Sequence, residues 1–481
     1  MDILLLSQDE THPFYDGINA YFAVPLLDAA GPRELFTTPP LGLTLLATRL
    51  NQLGFETAAV HNFFTMEESR RRLAAGLEAR PLAVGISTTH TFRPDYVSEI
   101  VALTKRLSPD SVIITGGPGV EWNEALRPAG SVTVLGPGEN TLPLLLSALR
   151  AKADLSGIPN LSYFKDGARV ETPRLDNAPL ASVPEPDWGI YPAPPARVLV
   201  QGSRGCARAC GFCAYSGPAD ARTPAAVLSE INANRRKWNI NFFRLTDSDF
   251  AADPARALEL CRGLERAGGY SWTCFARADS LLAPGLLDAM KRAGCLWVFL
   301  GIESGSDKIL GAMNKGCSSA VMKDAVKKIK AAGIGTHGNF VVGYPGETAA
   351  TIAESLDFAL TSGLDTVYYS PFQIRSRAIP AYRDRAGLGL EETGAGWRHA
   401  SMSSEETLSR TLELMDATRR APGAPLLTSE ALFSLFSKGE GGVFRSNVFE
   451  FFSAVRDWHG CRLAGDTAGL QKARAVIRSH F

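Results

Sequence analysis

The chain has 481 residues, and its 50 Lys and Arg balance 50 Asp and Glu, so the formal net charge is zero. Hydrophobic residues are 45% and charged residues 21%, an ordinary globular balance that excludes an intrinsically disordered chain. Neutrality gives no global field toward nucleic acid or an anionic membrane, and no apolar run reaches the ~20 residues of a bilayer-spanning helix. At roughly 150 residues per domain the length suits about three domains. The opening Met1-Asp2-Ile3-Leu4-Leu5-Leu6-Ser7 has no basic region and too short an apolar run for a secretory signal. The chain reads as soluble and cytoplasmic, with no nucleic-acid partner expected.

Within residues 1–151, short apolar runs at 3–6, 57–60, 83–86, 112–115 and 132–135 alternate with helical patterns at 41–53, 67–79, 96–107 and 142–151. Strand–helix repetition predicts a parallel sheet with helices on both faces, a Rossmann-like α/β domain. Such sheets bind ligands beyond the carboxyl ends of their strands. The loops there are Ser87-Thr88-Thr89-His90, Gly116-Gly117-Pro118-Gly119 and Gly136-Pro137-Gly138-Glu139. Glycine lets backbone approach a ligand closely; the alternative is tight turns without a ligand. No G-x-G-x-x-G follows the first strand, so a dinucleotide site is unsupported. Residues 152–195 are a proline-rich linker containing a predicted hairpin, 160–164 with 168–171, around Asp166-Gly167.

Eight cysteines occupy 206, 210, 213, 261, 274, 295, 317 and 461. The last five are scattered, and each reads as a small buried residue. Cys206, Cys210 and Cys213 have the spacing C-x3-C-x2-C, which points to metal chemistry. A structural zinc site needs four ligands, and no second Cys or His pair lies at ribbon spacing. Three thiolates on one loop suit an iron–sulfur cube with one iron left open. Strands at 242–247, 272–277, 297–301, 336–342 and 366–371, after one at 198–201, alternate with helices at 224–239, 254–267, 284–293, 319–332 and 350–362. This pattern predicts a partial (β/α)6 barrel over 196–380, with functional residues at the carboxyl ends of its strands. The region 381–481 loses strand alternation and reads as mainly helical. Ser403 and Glu406 have capping-box spacing there. Trp397-Arg398-His399, Phe433-Ser434-Leu435-Phe436 and Phe449-Glu450-Phe451-Phe452 either line a pocket or form a helical core.

Several motifs now converge. Cys206, Cys210 and Cys213, with Phe212 before the last, follow a first strand. Asp247-Ser248-Asp249-Phe250, Phe275-Ala276-Arg277, Gly301-Ile302-Glu303-Ser304 and Gly343-Tyr344-Pro345-Gly346-Glu347-Thr348 end later strands in order. This set resembles the radical S-adenosylmethionine (SAM) enzymes over about 196–375. The resemblance implies a 4Fe–4S cluster on the three cysteines and SAM on its open iron. It implies Phe212 near adenine or the cluster loop, Arg277 at the methionyl carboxylate, Glu303 at ribose, and Gly301, Gly343 and Pro345 along the wall. A plain G-G-E after the second strand is missing, and Asp247 and Asp249 are the groups expected to share its role. Arg277 and Glu303 pairing with each other or with local charges is the alternative.

Pro39-Pro40-Leu41-Gly42-Leu43, Gly85-Ile86-Ser87, Gly116-Gly117-Pro118 and Gly136-Pro137-Gly138-Glu139 resemble the cobalamin-binding domain that precedes many such enzymes. Leu41, Ser87, Thr88, Gly117, Pro118, Gly136, Gly138 and Glu139 are the residues implied to hold cobalamin. The Asp-x-His-x-x-Gly stretch that supplies a lower axial histidine in cobalamin mutases is absent; His12 and His90 are weak candidates, otherwise polar loop residues. Together the resemblances imply a cobalamin-dependent radical methyltransferase acting on an unactivated carbon, or a phosphinate phosphorus, of a small-molecule or natural-product substrate, with a one-electron reductant such as flavodoxin or ferredoxin. The alternatives are a non-methylating radical outcome (cyclisation, ring rearrangement or oxidation) and a cobalamin sensor with a vestigial cluster.

Overall fold

The structure is a computed structural model that describes residues 1–8, 39–64, 66–89, 93–175, 179–192, 195, 197–215, 217–374, 376–393, 396–421, 424–427 and 448–479. These fall into two units, the first of residues 1–8 and 39–195 and the second from 197 onward. His12, His90 and Phe433-Ser434-Leu435-Phe436 lie outside the described residues.

The first unit begins with β1 (Ile3–Ser7), whose Ile3, Leu4, Leu5 and Leu6 are all buried. A continuous apolar run, rather than alternation, marks a strand covered on both faces. Then come α1 (Leu41–Gln52), β2 (Thr57–His61), α2 (Glu67–Glu78), β3 (Ala83–Ser87), α3 (Pro94–Leu107), β4 (Val112–Gly116), the short α4 (Gly119–Trp122), β5 (Val132–Val134) and α5 (Gly138–Ala151). β1 to β5 are parallel in the order β2-β1-β3-β4-β5. The hairpin of β6 (Leu161–Lys165) and β7 (Ala168–Glu171) joins the β5 edge antiparallel. It therefore belongs to the first sheet rather than to a free linker. Asp166 and Gly167 both take left-handed φ, 51° and 81°, as a two-residue hairpin turn requires. The proline-rich strap after it is tied to α1: the Asp187 N–H donates to Thr48 Oγ1 at 2.8 Å, and Thr44 and Tyr191 share a hydroxyl bond of 3.2 Å.

The second unit opens with β8 (Val198–Val200), then β9 (Ser203–Arg204) and β10 (Asp220–Ala221), which pair antiparallel. Strand–helix units follow: α6 (Pro224–Trp238), β11 (Phe242–Leu245), α7 (Pro254–Ala267), β12 (Ser271–Ala276), α8 (Leu286–Arg292), β13 (Cys295–Glu303), α9 (Asp307–Ala312), α10 (Ser319–Ala331), β14 (Gly335–Val342), α11 (Ala349–Thr361) and β15 (Thr366–Pro371). The six long strands are parallel neighbours in chain order, β8-β11-β12-β13-β14-β15. Their carboxyl ends therefore form one rim. Asp253 and Ser318 cap α7 and α10 through their side chains, which fixes where the chain leaves the rim loops.

The C-terminal region carries more strand than its sequence suggests. After α12 (Pro380–Arg383), β16 (Glu391–Thr393), β17 (Gly396–His399) and β18 (Met402–Ser403) form a three-stranded antiparallel sheet. The strands are two to four residues long, too short to show a period of two. Then α13 (Ser404–Arg420) starts at the expected Ser403–Glu406 capping box. β19 (Leu426–Leu427) adds to the β15 edge as a short seventh strand, before α14 (Val448–Ala464) and α15 (Thr467–Ser479). Cys261, Cys274 and Cys295 are buried as expected, but Cys317 and Cys461 are partly exposed. No helix among the described residues is long and apolar enough to cross a membrane.

Gly294 links α8 to β13 at φ 89°, and a Cβ there would lie 2.1 Å from the Tyr270 carbonyl oxygen. Gly311, in α9, has nothing within 4 Å of the same position. Gly294→Ala is expected to cost about 2 kcal/mol or more in urea unfolding, and Gly311→Ala to be neutral or to stabilise by up to ~1 kcal/mol.

Candidate active site

The three clustered cysteines sit on an irregular loop whose base is the β9–β10 pair. Gly205 enters it at φ 81°, where a Cβ would lie 2.3 Å from the Pro218 carbonyl oxygen. Inside the loop, the Gly217 N–H donates to Cys206 O at 2.9 Å and the Cys213 N–H to Cys210 O at 3.1 Å. The remaining support comes from distant sequence. The Gly211 N–H donates to Met313 O at 2.8 Å, its carbonyl accepts from Ala381 N at 2.8 Å, and Asn314 Nδ2 donates to Ala209 O at 3.0 Å. A Cβ on Gly211 would fall 2.0 Å from the Tyr344 hydroxyl. Phe212 packs on a cluster that includes Ile309, Met313, Tyr344 and Phe372, so the structure shows it anchoring the loop.

None of the three cysteines is in a disulfide. Burial pushes the Cys210 and Cys213 thiols up, against the opposing pull of Lys315 on Cys210 and of the Tyr215 N–H on Cys213. Among the described residues no three Cys, His, Asp or Glu groups stand at the spacing of a single bound ion. A 4Fe–4S cube makes a different demand, because each thiolate binds its own iron and the sulfurs stand wider apart. Three thiols outside any disulfide on one glycine-containing loop fit that group.

The strand ends supply the surrounding charges. Asp247, beyond β11, accepts from Gly202 N and Ser203 N at 2.8 and 3.0 Å and pairs with Arg256. Asp249 accepts from Arg277 N at 3.1 Å and from Ser280 Oγ at 2.7 Å. Both carboxylates thus brace the rim backbone. Arg277, beyond β12, is held by Asp279 through two bonds of 3.0 and 2.9 Å, and its Nη1 is buried without a partner among the described residues. Glu303, at the end of β13, sits at a register shift with φ 65° and pairs with Lys315 at 2.9 Å. A non-glycine residue in left-handed backbone at a bulge marks a functional position. Arg277 and Glu303 pair with local charges, not with each other.

The Gly343–Glu347 turn beyond β14 is clasped by the C-terminal region. His399 Nε2 donates to Gly343 O at 3.0 Å, which fixes the tautomer, and Nδ1 accepts from Ser401. Gly343 has φ 85°, and a Cβ there would meet Thr407 at 2.2 Å. Tyr344 stacks edge-on against Phe372, Phe372 against Trp397, and Trp397 lies flat on His399. The Glu347 carboxylate accepts from the Gly343 N–H. Pro345 lies within this turn, and Gly301 lies under the Glu303–Lys315 pair, as a Cβ there would meet both head groups. Lys315 and Thr407 carry no expectation from sequence, because they lie beyond the motifs and no periodicity joins them to the strand ends. Tyr344 is expected only as part of the Gly343–Thr348 motif, and His399 only as pocket lining or helical core; the structure places His399 on β17, against the Gly343 carbonyl.

In the first unit, the turns after β3, β4 and β5 stand side by side because those strands are neighbours. Thr88 is fully buried; its N–H and hydroxyl both donate to Gly116 O, and its hydroxyl accepts from Val120 N. It shapes the turn that presents Gly117, at φ 101°, and exposed Pro118. Ser87 Oγ donates to Thr89. Gly136, at φ 79°, has nothing within 4 Å of a Cβ position, and its N–H donates to Glu121 at 2.7 Å. A Cβ on Gly138 would lie 3.2 Å from Leu46 of α1, so that glycine permits close packing. Leu41 and Glu139 are partly exposed in the first turns of α1 and α5. Open glycine at one turn beside a backbone-rich second turn fits a large flat ligand such as cobalamin.

Two family models match the chain. The B12 binding domain matches residues 35–146, and the Radical SAM superfamily matches residues 200–359. The chain is a radical SAM enzyme with a B12-binding domain. An uncharacterized methyltransferase of Pyrococcus horikoshii is 28% identical over 73% of this chain and 79% of its own length. An anaerobic magnesium-protoporphyrin IX monomethyl ester cyclase of Rubrivivax gelatinosus is 26% identical over 70% of this chain and 65% of its own. Among solved structures, the radical SAM methyltransferase TsrM of Kitasatospora setae, with cobalamin and a [4Fe–4S] cluster bound, aligns over 99% of both chains with a TM-score of 0.66 and 18% identity. That likeness establishes a shared fold. In this radical SAM enzyme the cysteine loop, Arg277, Glu303 and Gly343 all lie on one rim.

Burial lifts Glu347 from 4.5 to about 7, although two backbone N–H groups oppose the rise. The folded chain then holds this proton more tightly than the unfolded chain. The resulting stability is full below pH ~4.5 and is lost as pH rises through about 7. Relative to Glu347→Gln, the wild-type unfolding free energy should fall by up to ~3 kcal/mol between pH 5 and pH 8 in urea titrations.

Proposed function

We propose that this radical SAM enzyme is a cobalamin-dependent methyltransferase acting on an unactivated carbon of a small molecule. The observation that carries the reading is the cysteine loop on the rim of a parallel barrel, in one chain with a B12-binding domain. Cys206, Cys210 and Cys213 would hold the cluster. Arg277 would receive the methionyl carboxylate on its unpartnered Nη1, since guanidinium matches carboxylate geometry. Glu303 would accept ribose hydroxyls, with Lys315 holding its carboxylate in place. Gly301, Gly343 and Pro345 would give the wall its close approach. Leu41, Ser87, Gly117, Pro118, Gly136, Gly138 and Glu139 would cradle cobalamin, with Thr88 shaping the turn beneath.

When bound, the reduced cluster and SAM supply a 5′-deoxyadenosyl radical, and cobalamin supplies a transferable methyl group. The protein's part is to orient and to exclude water. Asp279 fixes the Arg277 fork, Asp249 fixes the Arg277 backbone, and His399 with Thr407 fixes the Gly343 turn. Preorganised charges of this kind need no rearrangement during reaction. A cytoplasmic flavodoxin or ferredoxin would serve as reductant. The Pyrococcus relative and a cytidylyl-2-hydroxyethylphosphonate methyltransferase of Streptomyces wedmorensis, 24% identical over 69% of this chain and 75% of its own, support methylation. The cyclase relative favours a second reading, radical cyclisation without methyl gain.

Anaerobic reconstitution with iron, sulfide and hydroxocobalamin should yield about four irons and one cobalamin per chain. Cys206→Ala, Cys210→Ala and Cys213→Ala should each lose the cluster absorbance. Arg277→Met should weaken SAM binding at least about tenfold while leaving iron content unchanged. With a methyl-labelled donor, product mass should rise by one methyl with release of S-adenosylhomocysteine. Iron without cobalamin removes the methylation reading, and loss of hydrogens without methyl gain replaces it with cyclisation or oxidation.

A further inference from the structure

Lys315 sits where nothing in the sequence motifs places a charge. It is 5% exposed, and its ammonium lies 2.9 Å from Glu303 Oε1. Both partners are on constrained backbone. α9 ends at Ala312, Asn314 turns the chain at φ 53°, and the Lys315 N–H closes the turn on Leu310 O at 2.9 Å. Left-handed Asn is a common way to end a helix sharply. Glu303 has φ 65° at the register shift of β13. The head groups lie over Gly301, where a Cβ would come within 2.3 Å of Glu303 Oε1 and 2.9 Å of Lys315 Nζ.

The two residues before Lys315 also grip the cysteine loop. Met313 O accepts from Gly211 N, and Asn314 Nδ2 donates to Ala209 O. The backbone turn that carries Lys315 is therefore tied to the loop that carries the cysteines. Lys315 and Glu303 thus bring one buried positive and one buried negative charge to the backbone that holds the loop. A buried ion pair is weak as a source of stability, because desolvating both charges offsets most of their attraction. Its position beside the cysteines is better explained by the field it projects there.

We infer that Lys315 is an electrostatic tuning residue whose buried positive charge favours the reduced form of the cluster carried by Cys206, Cys210 and Cys213. The inference rests on the reading that those cysteines hold a 4Fe–4S cluster. Three thiolates give the oxidised cube a net charge near −1, and one added electron makes it near −2. A fixed ammonium in a low-dielectric site stabilises the second state more than the first. The electron comes from an external one-electron donor, and no proton or bond needs to move at Lys315. Glu303 is the counterweight: alone it would disfavour the added electron.

The test is a dye-mediated dithionite titration of the reconstituted full-length chain without SAM, followed by electron paramagnetic resonance, with iron and sulfide counted first. At the potential where the wild-type cluster is half reduced, Lys315→Met should lower the reduced-to-oxidised ratio about tenfold. Glu303→Gln should raise it, and Lys315→Arg should stay within about threefold of wild type. Equal ratios in wild type, Lys315→Met and Glu303→Gln at full iron content overturn the inference and leave the cluster reading intact. So does Lys315→Arg behaving like Lys315→Met. If Lys315→Met takes up no iron, the sign of the Glu303→Gln shift decides: an increase supports the inference and a decrease or no change overturns it. A wild-type chain that takes up no iron removes the cluster reading and the inference together.

Discussion

The loop that bears three cysteines within eight residues is neither helix nor strand, and so it cannot hold itself. In this protein the constraint is met from outside. The turn at 313–314, the backbone at Ala381 and the hydroxyl end of Tyr344 all close on the short stretch from Ala209 to Gly211. Each support belongs to a different strand–helix unit, so the loop keeps its shape only when the whole rim is assembled. Glycine at 205 and 211 is the local consequence, since a side chain at either position would collide with backbone or with Tyr344.

The charges on the rim follow the same logic. Arg277 is forked on Asp279, Glu303 is paired to Lys315, and Asp247 to Arg256. Burying ions is costly, and pairing chiefly limits that cost. What the pairs achieve is fixed direction. Arg277 keeps one donor, Nη1, without a partner among the described residues, at the carboxyl end of a strand, the part of a parallel barrel where ligands bind. The C-terminal region contributes through contact rather than charge: the Tyr344, Phe372, Trp397 and His399 rings run in sequence and return to the Gly343 carbonyl.

The first unit solves a different problem with similar means. A large flat ligand needs a broad floor of backbone, and three neighbouring parallel strands, two of them ending in glycine turns, give one. Thr88 shows how far apart sequence position and role can be. It lies in a loop predicted to touch ligand, yet its hydroxyl and N–H are spent on Gly116 and Val120, so that the next turn holds its shape.

The sequence by itself determined the element order, because covered parallel strands need continuous apolar runs and the helices between them need a wider period. The runs at 3–6, 83–86 and 297–301 lie inside β1, β3 and β13. It also determined the cysteine spacing and the strand-end motifs, since chemistry at a barrel rim is written in contiguous residues. Tertiary structure alone decided the rest. The β6–β7 hairpin reads locally as part of a linker, and only pairing with β5 makes it sheet. The β16–β18 strands are too short for any period to register. Lys315 meets Glu303 across 12 residues and a helix turn, and His399 meets Gly343 across 56. Such partners are joined by side-chain reach across a folded rim, which leaves no spacing rule in the chain.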